Sequence, residues 1–158
     1  MHTMPTRPAP RKPLLELSIQ FALKADGLPT RADFRRWARA ALTRDVLATL
    51  RVVDAGEGRE LNRNYRGKDY PTNVLTFDYG PDPETAILTG DIVLCAPVVR
   101  SEAAQQGKSL AAHFAHLTVH GMLHLQGHDH ETGDADAIAM EAVESFIMQT
   151  LGFTDPHQ

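Results

Sequence analysis

Residues 109–130 read SLAAHFAHLTVHGMLHLQGHDH. Ser109 is a residue type that caps helices, and Gly127 tolerates the left-handed backbone that ends one. Between them the run predicts a helix over about 110–126. At roughly 100° per residue, His113, His116, His120 and His124 fall on one stripe roughly 80° wide. His120 and His124 lie one turn apart, so both imidazoles can reach a single metal ion. Gly127 turns the chain, and the following His-Asp-His segment doubles back. Either His128 or His130 can then supply a third ligand.

The spacing H-x3-H-x2-G-x2-H is the one metzincin proteases use, which favours His130. The expected site is a zincin-type H-x3-H-x5-H arrangement of His120, His124 and His130. His116 is the rival ligand. However, 116, 120 and 124 on a straight helix span roughly 12 Å of rise, too far for one ion with bonds near 2 Å. His113 and His116 therefore read as groups that pack behind the metal or face a substrate. Three neutral imidazoles leave a coordination position for water, whose pKa then falls to about 7. That is a catalytic type of site. A protease would carry glutamate at position 121, and this chain has Gly121. Asp129, Glu131, Glu141 and Glu144 lack the helix placement of that glutamate, so peptide hydrolysis falls behind other metal chemistry. One Zn2+ per chain is expected, with Ni2+ or another divalent ion as the alternative, since imidazole also suits nickel and copper.

Outward from this helix, the chain alternates between the two periodicities. LLELSIQ (14–20), VLATLRVVD (46–54), NVLTFDY (73–79) and GDIVLC (90–95) predict strands. Thr30 caps a helix over 31–43 with Phe34, Trp37, Ala38 and Leu42 along one side. Residues 56–66 form a short helix ended by Gly67. Pro97 opens a helix that Gly107 stops. Residues 134–152 form the last helix, with Ile138, Glu141 and Ala142, Ser145, and Met148 and Gln149 down its length. GPDPETAILT (80–89) reads as a loop. The sum is an α+β (α/β) domain, a small mixed sheet of about four strands flanked by about five helices. One domain over 14–153 is expected, between a proline-rich tail (1–13) and a short tail (154–158).

The 158 residues are 42% hydrophobic and 23% charged, an ordinary globular composition. No apolar run approaches the roughly 20 residues that cross a bilayer, and the N-terminus has no apolar signal region. The single cysteine, Cys95, excludes an intrachain disulfide and reads as a small core residue at a strand end. The cytoplasm is the expected compartment. The net charge of −4 conceals an asymmetry: residues 1–80 hold 14 Lys and Arg against 9 Asp and Glu, residues 81–158 hold 2 against 11. Basic residues cluster at 31–44 (Arg31, Arg35, Arg36, Arg39, Arg44) and 59–68 (Arg59, Arg63, Arg66, Lys68). Charge alone reads as solvated helix faces and supports nucleic-acid binding only beside other evidence. Asp91, early in its strand, is expected to receive hydrogen bonds or to pair with a histidine of the metal helix, unless it is a simple turn residue after Gly90.

HGMLHLQGHDH (120–130), LNRNYRGKDYPTNVLTF (61–77) and GDIVLC (90–95) together resemble the YbeY family of bacterial endoribonucleases and rRNA maturation factors. The likeness spans roughly 14–153. It departs from the family's histidine motif at His128, where the family has tyrosine. The resemblance implies a zinc-dependent, single-strand-specific endoribonuclease of 16S rRNA 3′-end maturation and ribosome quality control. It implies His120, His124 and His130 as ligands and Arg66 as the arginine needed for activity, with Lys68 as a further phosphate contact. It implies single-stranded RNA, 16S rRNA, the small ribosomal subunit and assembly proteins as partners, with neither DNA nor membrane. An arginine fork and a metal can together stabilise the crowded negative charge of phosphodiester cleavage. The alternatives are a non-catalytic RNA-binding assembly factor with a structural metal, and a metallopeptidase.

Overall fold

Strand alternation decides which side of the sheet becomes the core. In the computed structural model, which describes residues 11–128 and 133–157, β2 (Val46–Val53) buries Val46, Ala48, Leu50 and Val52 on one face. Leu47, Thr49 and Arg51 point to the other. β1 (Leu15–Phe21) repeats the pattern with Leu17 and Ile19. β4 (Leu88–Cys95) repeats it with Leu88, Ile92 and Leu94. Because the side-chain period is two, the register fixes all of these sides at once. The strand order is β1-β2-β4-β3, with β1, β2 and β4 parallel and β3 (Val74–Pro81) antiparallel on the β4 edge.

The main core fills the face that these residues share with the helices. α1 (Arg31–Ala40) is held at its start by a Thr30–Asp33 capping box and buries Phe34, Trp37 and Ala38. α4 (Leu110–Leu125), capped by Ser109, packs against α1, β3, β4 and two further helices. These are α3 (Ala96–Gln106) and α5 (Asp134–Thr150). Ten of the sixteen α4 residues are buried, which is the state of a helix that is apolar on most sides. The Phe34 and Phe114 rings meet edge to face at 5.8 Å, closing α1 on α4. The opposite sheet face carries α2 (Ala55–Arg66) over a smaller cluster of Val53, Leu75, Val93 and Cys95. α2 covers only part of that face.

Three details differ from the sequence reading. The loop after β3 is shorter than 80–89, because β3 runs to Pro81 and β4 starts at Leu88. Asp82 makes this possible: its carboxylate accepts from the Glu84 and Thr85 amides, and its own amide bonds Ile87 O. The buried stripe of α5 is Met140, Glu144, Ile147 and Met148, while Ile138 is 66% exposed. Met148 stands at its expected place, while the rest of the stripe lies one or two residues away from the expected positions. Residues 154–157, read as a tail, fold back on α5, where Asp155 accepts from Ser145 Oγ at 2.7 Å and from the His157 amide. No helix among the described residues is long and apolar enough to cross a membrane.

Candidate metal centre

The histidines of α4 line up as their spacing predicts, and each meets a different environment. His113 is buried, and its Nε2 lies 2.9 Å from Glu102 Oε1 on α3. Glu102 Oε1 also accepts from Asn73 Nδ2 at 2.9 Å, so this carboxylate ties the bend that leads into β3 to α3 and α4. One turn later, His116 Nε2 lies 2.9 Å from Glu144 Oε2. A further turn on, His120 Nδ1 lies 2.5 Å from Glu144 Oε1. His124 is half-buried, and its ring makes no hydrogen bond to the described residues. His157, delivered by the folded-back C-terminal segment, reaches Glu144 Oε2 at 2.9 Å.

Glu144 is therefore a carboxylate with 2% exposure that takes hydrogen bonds from three imidazoles. Burial works to raise its pKa, but the bonds from His116 and His120 outweigh that and hold it well below the ordinary carboxylate range. Burial lowers the pKa of His116, against the pull of Glu144, so His116 is a neutral donor through Nε2–H. Its Nδ1 is buried without a partner, as suits the unprotonated nitrogen of that tautomer. The group walls a cavity of about 240 Å3 with Asn73, Val74 and Glu141.

His116, Glu144 and His157 each offer a ligand atom within 4.8 Å of the others and could hold a metal ion. The donor set, two imidazoles and a carboxylate, suits a divalent ion of zinc type. His120 and His124 border this group on the same helix stripe. His120 presents Nδ1 to Glu144, so Nε2 is the nitrogen it would offer a metal. His130, together with Asp129 and Glu131, lies outside the described residues.

Sequence reasoning missed the place of Glu144 and His157. For Glu144 a signal existed: it stands at i+4 from Met140 and three before Ile147, a charged residue on the apolar stripe of α5. His157 had none, since only the Asp155 turn brings it back.

Gly121 lies beside the histidines but faces the sheet. A Cβ there would meet three Ile92 side-chain atoms at 3.0–3.1 Å. The position that carries glutamate in a protease is here a close helix-on-strand contact. Arg66 ends α2, exposed, and makes no hydrogen bond to the described residues. The chain around it is firmly held. Gly67 is left-handed at φ 70°, and buried Asn62 donates to Tyr70 O at 2.7 Å. Lys68 is exposed beside it. The basic clusters divide: α1 sits on the main-core side and α2 on the other, and several charges are committed. Arg59 forms a two-pronged pair with Asp69 at 2.8 Å, and Arg31 stands over the Phe21 ring at 4.9 Å. Asp91 departs from its reading in part. It accepts a hydrogen bond, from Tyr79 Oη at 2.8 Å, but no histidine. Strand alternation is the reason, since Gly90 and Ile92 face α4 and Asp91 faces away. Cys95 is buried, and burial pushes its thiol pKa up, as a core cysteine requires.

Residues 28–152 match the family model described as Endoribonuclease YbeY. A Methylobacillus flagellatus protein named Endoribonuclease YbeY is 57% identical over 145 residues, covering 92% of this chain and 95% of that protein. One of the same name from Laribacter hongkongensis is 56% identical over 157 residues, covering 96% of this chain and 93% of that protein. The solution structure of a Thermotoga maritima protein superposes with a TM-score of 0.59 at 24% identity, covering 90% of this chain and 99% of that one. It shares the fold.

Proposed function

The chain belongs to the YbeY family of endoribonucleases, and from that premise we propose that it is a zinc-dependent endoribonuclease cutting single-stranded RNA. Its place would be the cytoplasm, in 16S rRNA 3′-end maturation and ribosome quality control, with the small ribosomal subunit and its assembly proteins as partners. His120, His124 and His130 would hold the ion. The observation that carries this reading is the buried Glu144 carboxylate on His120 Nδ1, the carboxylate–histidine pairing that orients a ligand imidazole and raises its basicity. The bonds from His116 and His120 hold Glu144 ionised for that role, and His157 adds a third contact to the carboxylate.

A bound divalent ion supplies Lewis-acid charge to a phosphoryl oxygen and raises the acidity of nearby water. The chain's own residues do the rest. Arg66 offers two parallel N–H donors to a phosphate, where charge builds as the phosphodiester breaks. The exposed Arg63 and Lys68 beside it attract the RNA backbone through its phosphates.

The test is cleavage of single-stranded RNA by the wild type, Arg66→Ala and His124→Ala, with metal content measured on each protein. Arg66→Ala should keep its metal and lose roughly 10²- to 10³-fold in rate, the usual loss for one group that stabilises transition-state charge. His124→Ala should lose both metal and cleavage. Full cleavage by a metal-free His124→Ala protein would overturn the proposal.

A further inference from the structure

The face of the sheet that α2 leaves partly bare holds a second cavity, of about 360 Å3. Its floor is Thr49, Phe77, Asp91 and Val93 of the three adjoining strands, and Tyr65 and Tyr79 stand at its sides. Tyr65 is 68% exposed and Tyr79 64%. Tyr65 meets Phe77 edge to face at 5.0 Å, which sets a rigid aromatic corner. The metal mechanism uses none of these residues.

Charge selects what the groove accepts. Among the described residues Arg51 is its one cation, and that guanidinium is committed: it bonds both Glu57 oxygens at 2.6 and 2.9 Å and Gln20 Oε1 at 3.0 Å. Glu57 and Asp91 leave the lining with a surplus negative charge. A phosphate is repelled, while a flat ring with N–H donors on its edge is welcome. Asp91 provides the acceptor. A carboxylate has about four lone-pair sites; Tyr79 Oη donates to Oδ2, and no described residue donates to Oδ1. Thr49 stands beside it, paired in register with Asp91 across β2 and β4.

We propose that this groove seats an unstacked guanine of the RNA strand, its N1–H and N2–H2 edge donating to Asp91 and its face lying against Tyr65. Among the four bases only guanine offers two adjacent donors to one carboxylate, and aromatic side chains hold splayed bases by stacking. The inference rests on the reading that the protein acts on RNA. β3 links the two places: Val74 lines the metal cavity and Phe77 the groove, roughly 10 Å apart at 3.3 Å per residue. An unstacked strand that crosses this edge can reach both, so the groove would set which base stands near the cut.

The test uses the metal-loaded full chain with guanosine, inosine and adenosine as uncleavable probes, followed by backbone amide shifts. Guanosine should move the amides of Thr49, Phe77 and Asp91 and bind roughly tenfold more tightly than adenosine, with inosine between, as one good paired contact provides. Asp91→Asn should abolish that ratio. Tyr65→Ala, a change at an exposed side chain, should weaken all three probes alike. Equal binding of guanosine and adenosine, or a preference that survives Asp91→Asn, would overturn the base pocket. Uniform cutting of guanine-free and guanine-containing RNA would do the same while leaving the endoribonuclease reading intact. Absence of any RNA cleavage by the wild type would instead remove that reading.

Discussion

Gly121 shows how one position excludes one chemistry. Restoring the protease pattern with Gly121→Glu would push a carboxylate against Ile92, in an apolar contact with nothing to bond it. Burying an unpaired polar group costs a few kcal/mol, so we expect a loss of about 3 kcal/mol or more and no peptidase activity. Gly121→Ala is the control. Alanine gains about 1 kcal/mol in helix propensity, while overpacking costs about 1–3 kcal/mol, so the net change should be small. Denaturant midpoints of the two variants check both statements. At Tyr79 the sign of a titration can be tested. The hydrogen bond to Asp91 raises the phenol pKa, helped by partial burial. A raised folded pKa contributes stability below the ordinary tyrosine value near 10, and that contribution is lost as pH rises through the folded value. In Asp91→Asn the phenol should titrate earlier than in the wild type, as read by the ultraviolet absorbance of tyrosinate. No change in that curve would mean the bond is absent in solution.

Elements are positioned by a few polar residues that apolar patterning does not announce. The α4 helix was legible from its Ser109 cap, its apolar content and Gly127, and the strands from their alternation. The two charged residues that organise its surroundings, buried Glu144 and half-buried Glu102, were less so, because a carboxylate drawn out of water is tolerable only when its partners arrive from elsewhere in the chain. Glu102 and Glu144 find theirs on α4, at sequence separations of 11 and 28 residues for His113 and His116. Gln126 is a third case. Buried at the end of α4, its Oε1 accepts from the Thr43 and Arg44 amides at 2.7 and 3.1 Å, and its Nε2 donates to Ala41 O and Met122 O. It thereby closes the end of α1 against the turn that leads to His130. Gln126→Leu keeps the volume and orphans these groups, which should cost about 2–4 kcal/mol in chemical denaturation. Glu144→Gln acts differently. It keeps an acceptor for one ring but places an N–H2 against the others, so the orientation of His120 loosens. Metal affinity should fall roughly 10- to 100-fold in competition with a coloured chelator. An unchanged affinity would place the ion elsewhere than on His120.

For the whole molecule, the question is whether the metal holds the fold or serves it. The main core joins Leu17, Ile19, Phe34, Trp37, Leu50, Ile92, Phe114 and Met148 across the sheet and three helices, and none of these is a metal ligand. A chain of 158 residues with such a core is large enough to fold by apolar burial alone. His116, His120 and His124 sit half-buried at one edge of it and Glu144 lies buried behind them, where α4, α5 and the C-terminal segment meet. This argues against a structural metal, which small metal-nucleated folds need in order to fold at all. Removing metal with a chelator should therefore leave a cooperative thermal transition. Saturating metal at a thousand times its Kd contributes about 4 kcal/mol. Each kcal/mol moves Tm by about 2–4 °C in a chain of this size, so Tm should fall by roughly 10 °C. RNA cleavage should vanish at chelator levels that leave the room-temperature circular dichroism unchanged, and added Zn2+ should restore it. If folding and cleavage are lost together, the metal is structural and its histidines nucleate the fold.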